Sequence, residues 1–377
     1  MLDSTAAFRM KTELLCKGLY LDSNLMDHYS KHGISYGRKG GAGPLGGRYF
    51  LLEDNKTLVN VALWDNPVKT NLTLREKSDD FFEVYDVKNG ISFGKLKLVS
   101  NPKYYNPEYI TSDGIPMRKI ALVHGVDCLA STIYQKCKYW ACGEACKFCG
   151  IELSLKYDTT IEEKNYHQMN EVIAQAKKEG RCTHMTLTSG TEDSDDKGVN
   201  RYIELLKGVK EEHPNLPLHV QVEPLEDLKL ITELREAGAD TIGIHIEILD
   251  RHIRDIITPG KANIPFELFK NNWEYSLEIF GINQVSTFIL TGFEDPTEDF
   301  FSDLEKIVSL GVIPFITPVR SIPGMKDLPT TNFNILLDTY IRAAKLMKEF
   351  GINPLEHKAG CVRCGGCSAI KEAYISV

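Results

Sequence analysis

The chain has 377 residues, a formal net charge of -8, 42% hydrophobic and 25% charged residues. This is enough for one large domain or two ordinary ones, and the acidic balance argues against a duplex nucleic-acid surface, which concentrates Lys and Arg. Apolar runs such as 312–316 fall far short of a bilayer span, and Met1-Leu2-Asp3-Ser4-Thr5 has no basic stretch followed by an apolar one, so the expectation is a cytoplasmic protein without a membrane partner.

Residues 2–20 read as a helix. Gly40-Gly41-Ala42-Gly43-Pro44 and Gly46-Gly47 form a glycine-rich loop, read as turn geometry rather than a phosphate cradle because no Lys-Ser/Thr follows. Two strands, 48–52 and 58–63, flank a turn at Asp54-Asn55, and Pro102, Pro107 and Pro116 mark an irregular link. Residues 1–117 are thus expected to be a small α+β extension.

Beyond it one rhythm repeats. Expected strands at 129–134, 184–188, 218–222, 241–246, 284–290 and 312–316 alternate with expected helices at 161–179, 198–212, 225–237, 266–280, 300–310 and 332–350. Gly180, Gly238, Gly281, Gly311 and Gly351 stand where left-handed C-terminal caps fall, and Thr160 with Glu163 suggests a capping box. Alternating strands and helices imply a parallel sheet. The expected fold is α/β, a partial (β/α)6 TIM-like barrel over 118–350. An open doubly wound sheet also fits the alternation, without its G-x-G-x-x-G turn. Residues 351–377 are expected to be a C-terminal cysteine-rich tail.

Six of the ten cysteines form two tight triplets, a pattern that in a cytosolic chain points to metal or catalysis rather than disulfides. Cys142-Gly143-Glu144-Ala145-Cys146-Lys147-Phe148-Cys149 has the spacing C-x3-C-x2-C and follows the first expected barrel strand, on the face where parallel barrels place active sites. Three thiolates hold three irons of a cubane and leave the fourth without a protein ligand. Cys137 offers a second spacing, C-x8-C-x2-C with Cys146 and Cys149; a closed zinc site is the other reading of these thiols. Gly360-Cys361-Val362-Arg363-Cys364-Gly365-Gly366-Cys367-Ser368 carries C-x2-C-x2-C, a second cluster signature. Its fourth ligand is left open among Ser368, Cys137, Cys128, Arg320 and a substrate atom, and His357 would complete a zinc knuckle instead.

The stretch 140–150, with 111–125, His245-Ile246-Glu247, 256–261, 284–290 and the C-terminal triplet, resembles the biotin synthase-related branch of the radical S-adenosylmethionine (SAM) superfamily. The resemblance implies a [4Fe–4S] cluster on Cys142, Cys146 and Cys149 whose open iron binds SAM, and a 5′-deoxyadenosyl radical as oxidant. It implies that Phe148 packs near the adenine, that Ser189-Gly190-Thr191 holds the SAM amino group, that Glu247 contacts the ribose, and that Lys261 pairs with the carboxylate. Leu290 lies in the stretch expected beside the adenine. In-strand alternation puts Gln221 and Glu223 on one face and His245 and Glu247 on one face; acids buried in a barrel need partners, which makes them further cofactor-binding candidates.

The second triplet, Cys361, Cys364 and Cys367, then implies an auxiliary iron–sulfur cluster, as in sulfur-inserting relatives that sacrifice one. Two branches of the family fit: a subunit of a paired archaeal-type lipoyl synthase, and a radical SAM protein of nitrilase gene clusters. The first implies an octanoylated carrier protein or lipoyl domain as substrate, a second radical SAM subunit and a low-potential electron donor. A non-catalytic metal-binding scaffold is the reading of another class.

Overall fold

Two sheets of different construction share one hydrophobic core. The computed structural model describes residues 2–21, 47–64, 66, 68–76, 81–320, 329 and 331–377. The glycine-rich stretch 40–46 lies outside the described residues.

The N-terminal part opens with a helix, Ser4–Lys17, capped by the Asp3 carboxylate on Ala6 N at 2.7 Å. Strands β1 (Leu19–Tyr20), β2 (Gly47–Leu52), β3 (Leu58–Trp64), β4 (Leu72–Glu76), β5 (Phe81–Asp86) and β6 (Ile91–Leu98) follow. They close into a barrel in the order β1-β3-β2-β6-β5-β4. The two-residue β1 completes it, parallel to both β3 and β4, which removes the open edge an antiparallel sheet would present. The Asp54-Asn55 turn is present: Asn55 is left-handed and the Asp54 carboxylate accepts from Lys56 N and Thr57 N at 2.9 and 2.8 Å.

The second sheet has seven strands: β7 (Leu122–His124), β8 (Cys128–Thr132), β9 (His184–Thr188), β10 (Leu218–Val222), β11 (Thr241–Ile244), β12 (Val285–Thr291) and β13 (Ile313–Pro318). They lie in sequential order; β8 to β13 are parallel, and β7 is added antiparallel to β8. Helices between successive parallel strands cover the outer face, giving a mixed α/β half-barrel. The helix Phe266–Phe280 shows how. Phe269, Trp273 and Phe280 recur at helical spacing and are buried, and Trp273 donates its indole N–H to Ile244 O at 2.9 Å.

One helix begins later than the sequence suggests. It spans Tyr166–Lys178, and its capping box is Asn165 with Gln168. Thr160 instead donates to Lys119 O, and Glu163 pairs with Arg201. Competing tertiary partners moved the start.

Residues 354–377 are built into the body. Helices Gly360–Cys364 and Ile370–Ser376 pack on the half-barrel and on the N-terminal helix. Gly360 N donates to His184 Nδ1 at 3.1 Å, and a Cβ on Gly360 would come within 2.4 Å of the His219 ring. The buried Lys11 ammonium donates to Gly365 O and pairs with Glu372, both at 2.8 Å. No helix among the described residues is long and apolar enough to cross a membrane.

Candidate active site and a second cysteine set

The loop after β8 folds over the C-terminal ends of the parallel strands. Lys138 N donates to Thr191 O at 2.8 Å, Gly190 N to Tyr134 O at 2.9 Å, and Lys147 N to Ile257 O at 2.8 Å. Two glycines permit the approach. A Cβ on Gly190 would lie 1.8 Å from Lys136 O and 3.1 Å from Cys137 Cα; one on Gly260 would lie 2.1 Å from the Tyr139 ring. The overlap at Gly190 is with backbone and no side-chain rotation relieves it, so the loop requires glycine at 190.

Of the cysteines, Cys146 is buried and Cys149 and Cys137 are half-buried, whereas Cys142 is exposed. Cys142 ends the short helix Lys138–Ala141, and its thiol turns to Tyr139 O at 3.7 Å and the Glu144 carboxylate at 3.8 Å. Cys137 acts electrostatically on both Cys146 and Cys149. Cys142, Cys146 and Cys149, with Cys137 ahead of them, thus lie on the one loop after β8. Burial pushes the Cys146 thiol up, opposed by Lys261, and pushes Cys149 up to about 11, opposed by a backbone N–H and the Trp140 indole. Thiols held neutral in the empty protein become ligands by releasing their protons to solvent.

Around them the predicted polar residues converge. Glu247 is buried in a left-handed conformation, φ +63°, held by Glu247 N to Phe288 O at 2.9 Å and Leu290 N to Glu247 O at 2.8 Å. Such a backbone is strained for a non-glycine residue, about 1 kcal/mol or more, and here it aims a carboxylate at Lys261. Lys261 Nζ meets its two oxygens at 2.9 and 3.1 Å. Burial pulls the Lys261 ammonium down, but Glu247 and then Cys146 outweigh it, so it titrates well above its ordinary range. Glu223 accepts from Tyr139 at 2.9 Å and Thr191 at 3.1 Å, and Lys197 stands 3.4 Å away. Ser189 donates to Gly190 O at 3.0 Å. Phe148 joins Leu290, Ile248, Ile257 and Phe293 in a separate apolar cluster. Tyr139, Lys197 and Gly260 were not anticipated. Their contacts bridge distant parts of the chain, and no local signal announces them.

The second cysteine set lies against the strands. Gln221, expected beside SAM, directs its amide to Cys361 at 3.7 Å. Thr186 stands beside Cys361, the Tyr49 hydroxyl is 3.8 Å from Cys367, and a Cβ on Gly125 would lie 3.1 Å from the Cys364 thiol. Thr317 donates to Cys367 O at 2.9 Å. The buried Cys128 is driven up by burial and then by Cys364 and Cys361, which places it beside this set. Burial raises Cys361 strongly and Cys364 to about 11. Ser368 is engaged by Ile370 N at 3.3 Å, and Arg320 holds Asn60. The two sets are joined through β10. His219 touches Gly360, Gln221 touches Cys361, and Glu223, just past the strand's end, touches the loop after β8. Successive same-face residues are about 7 Å apart. Among the described residues, no three His, Cys, Asp or Glu side chains are gathered closely enough to hold one metal ion.

Residues 140–307, which hold the cysteine loop and the lysine–glutamate pair over the strand ends, match the model of the Radical SAM superfamily. Curated relatives include a 5-amino-6-(D-ribitylamino)uracil–L-tyrosine 4-hydroxyphenyl transferase of Nostoc sp. (strain PCC 7120 / SAG 25.82 / UTEX 2576). It is 27% identical over 189 residues, 45% of each chain. A biotin synthase of Persephonella marina (strain DSM 14350 / EX-H1) is 28% identical over 210 residues, 51% of this chain and 56% of that one. The chain thus spans about half the length of these relatives. Among solved structures, the FeFe-hydrogenase maturase HydG from Carboxydothermus hydrogenoformans aligns with a TM-score of 0.44 and 16% identity, over 65% of this chain and 54% of that one.

The residues present fit the cofactors this domain implies. Cys146 and Cys149 with Cys142, or with Cys137 in its place, offer three soft donors suited to three irons of a [4Fe–4S] cluster. Lys261 offers a cation for a carboxylate, Glu223 and Glu247 accept from amine or hydroxyl, and Phe148 with Leu290 offers an apolar wall for a base. When bound, cluster and SAM together supply a 5′-deoxyadenosyl radical.

Proposed function

We propose that the protein is a radical SAM enzyme that inserts sulfur into an unactivated carbon, its substrate an octanoyl chain on a carrier protein or lipoyl domain. Cys142, Cys146 and Cys149 hold the SAM-binding cluster in this reading, with Cys137 the alternative to Cys142, and Cys361, Cys364 and Cys367 hold an auxiliary cluster that is the sulfur source. The observation that carries it is the β10 link: Gln221 at Cys361 and Glu223 at the loop of the first set put both cysteine sets along one strand. A carbon radical formed by the first set then lies within reach of the second. Lys261 and Glu223 orient the cofactor's amino-acid end, and the half-buried second set lies against Tyr49 and Gln221. A low-potential donor supplies electrons, and a second radical SAM subunit is a further expected partner.

The test is anaerobic reconstitution with iron and sulfide, then dithionite, SAM and an octanoyl-lysine peptide, followed by nucleoside and peptide mass analysis. The expected result is 5′-deoxyadenosine, a mass gain of one or two sulfur atoms on the peptide, and loss of one cluster per turnover. Release of 5′-deoxyadenosine without sulfur gain overturns sulfur insertion and leaves the second set as an electron relay or substrate anchor, the chemistry expected of the nitrilase-cluster branch. A reconstituted protein that binds zinc and releases no 5′-deoxyadenosine overturns the enzyme reading in favour of a metal-binding scaffold.

A further inference from the structure

A cavity of about 520 Å³ opens where the N-terminal barrel meets the antiparallel edge of the half-barrel. Four cationic residues line it, Arg48, Arg118, Lys119 and Arg181, on a chain whose net charge is -8. Arg48 is 8% exposed and spends its guanidinium on neutral groups, Asn101 Oδ1 at 2.6 Å and Val99 O at 3.2 Å. Arg181 donates to Ser100 O at 2.8 Å, and its buried Nε has no hydrogen-bond partner. No ion pair within 4 Å involves Arg48 or Arg181 among the described residues. Lys119 pairs with Asp158, a carboxylate that also lines the cavity. Burial lowers both arginines, Tyr105 raises both, Arg181 lowers Arg48 further and Asp127 and Glu179 raise Arg181, and the two guanidiniums line one space.

Guanidiniums that are partly desolvated and hydrogen-bonded only to neutral oxygens, with Asp127 and Glu179 acting on Arg181 only from beyond ion-pair distance, keep donor capacity for an anion. Their planar forks match oxyanions. The cavity is far larger than one phosphate needs and lies within the size range of small-molecule sites. We propose that it is a binding site for a phosphate-bearing small molecule, with Arg48 and Arg181 gripping the phosphate. Its position adds meaning. Tyr49 and Gly125 line the cavity and also touch Cys367 and Cys364, so the bound molecule sits one side chain from the second cysteine set.

The test is titration calorimetry on the full chain with inorganic phosphate, pyrophosphate and ADP. Binding of pyrophosphate or ADP is expected, weakening at least about tenfold in Arg181→Gln and in Arg48→Gln, and weakening as salt is raised. ADP well above pyrophosphate marks a phosphate ester as ligand; equal binding marks the free oxyanion. Thermal unfolding without ligand checks that Arg181→Gln keeps the fold, since Arg48 also ties 99 to 101. No binding at millimolar probe, or binding indifferent to Arg181→Gln in a folded variant, overturns the proposal. Neither outcome depends on SAM cleavage, so it stands or falls apart from the proposed reaction.

Discussion

The two cysteine sets are held in opposite ways. The first rides on a loop laid over strand ends, kept in place by backbone hydrogen bonds and by the clearance at Gly190 and Gly260. The second is caged by side chains of both sheets, Tyr49, Thr186 and Gln221 among them, and its segment is clamped by the buried Lys11. A loop leaves one side of its metal group open to a cofactor; a cage limits access from every side. The difference teaches that similar short cysteine spacings announce metal binding, while the surrounding fold decides whether chemistry happens at the metal or is supplied from it.

The sharpest way to break this contrast is to remove single thiols. Cys142→Ala is expected to lower iron by about four of roughly eight per chain and to abolish 5′-deoxyadenosine release, whereas Cys137→Ala keeps both. Iron and sulfide analysis with electron paramagnetic resonance reads the outcome, and the reverse pattern would make Cys137 the ligand. Next in size, Cys364→Ala should lose a similar amount of iron yet continue to cleave SAM, losing only the sulfur-bearing product. If both activities vanish together, the caged set is not separable from the loop set.

A smaller effect is expected at the Lys261–Glu247 pair, with side chains 18% and 10% exposed. Lys261→Met strands a buried carboxylate and should cost about 3 kcal/mol by urea unfolding. Adding Glu247→Gln should recover part of that loss, a non-additivity that a double-mutant cycle measures. The smallest effect is set by pH. Burial lowers His245 to about 3 and His357 to about 4 from the ordinary 6.5. The unfolded chain therefore binds protons first, and the stability these neutral rings contribute is present above about pH 6.5 and lost as pH falls towards 4. Each should account for about 2 kcal/mol between pH 7 and 5, and His357→Asn should flatten the urea midpoint against pH by about that amount.

Much of the half-barrel is legible in sequence because its signals are local. β9, β10 and the helix Phe266–Phe280 stand at the expected residues, where apolar periodicity and a closing glycine agree. The small barrel was less legible. β5 and β6 mix charged and exposed positions, and closure depends on two residues, Leu19 and Tyr20, pairing with strands far along the chain. At the candidate site, the residue types were readable and their partners were not. Three-residue spacing pointed to Cys142, which follows the helix Lys138–Ala141 and is exposed, while Cys137 precedes that helix and is half-buried. Gln221 was grouped with Glu223 by alternation, which is right about the face; only the C-terminal segment, packed in from beyond residue 350, gives it a different neighbour.

β10 also acts as a ruler. Because alternate residues of a strand face opposite ways, a single residue added or lost ahead of Gln221 would turn Gln221 and Glu223 towards the covering helices and present Val220 and Val222 to the thiols. The spacing between the two cysteine compartments is therefore set by one strand's register, and evolution can lengthen the loops around it far more freely than the strand itself.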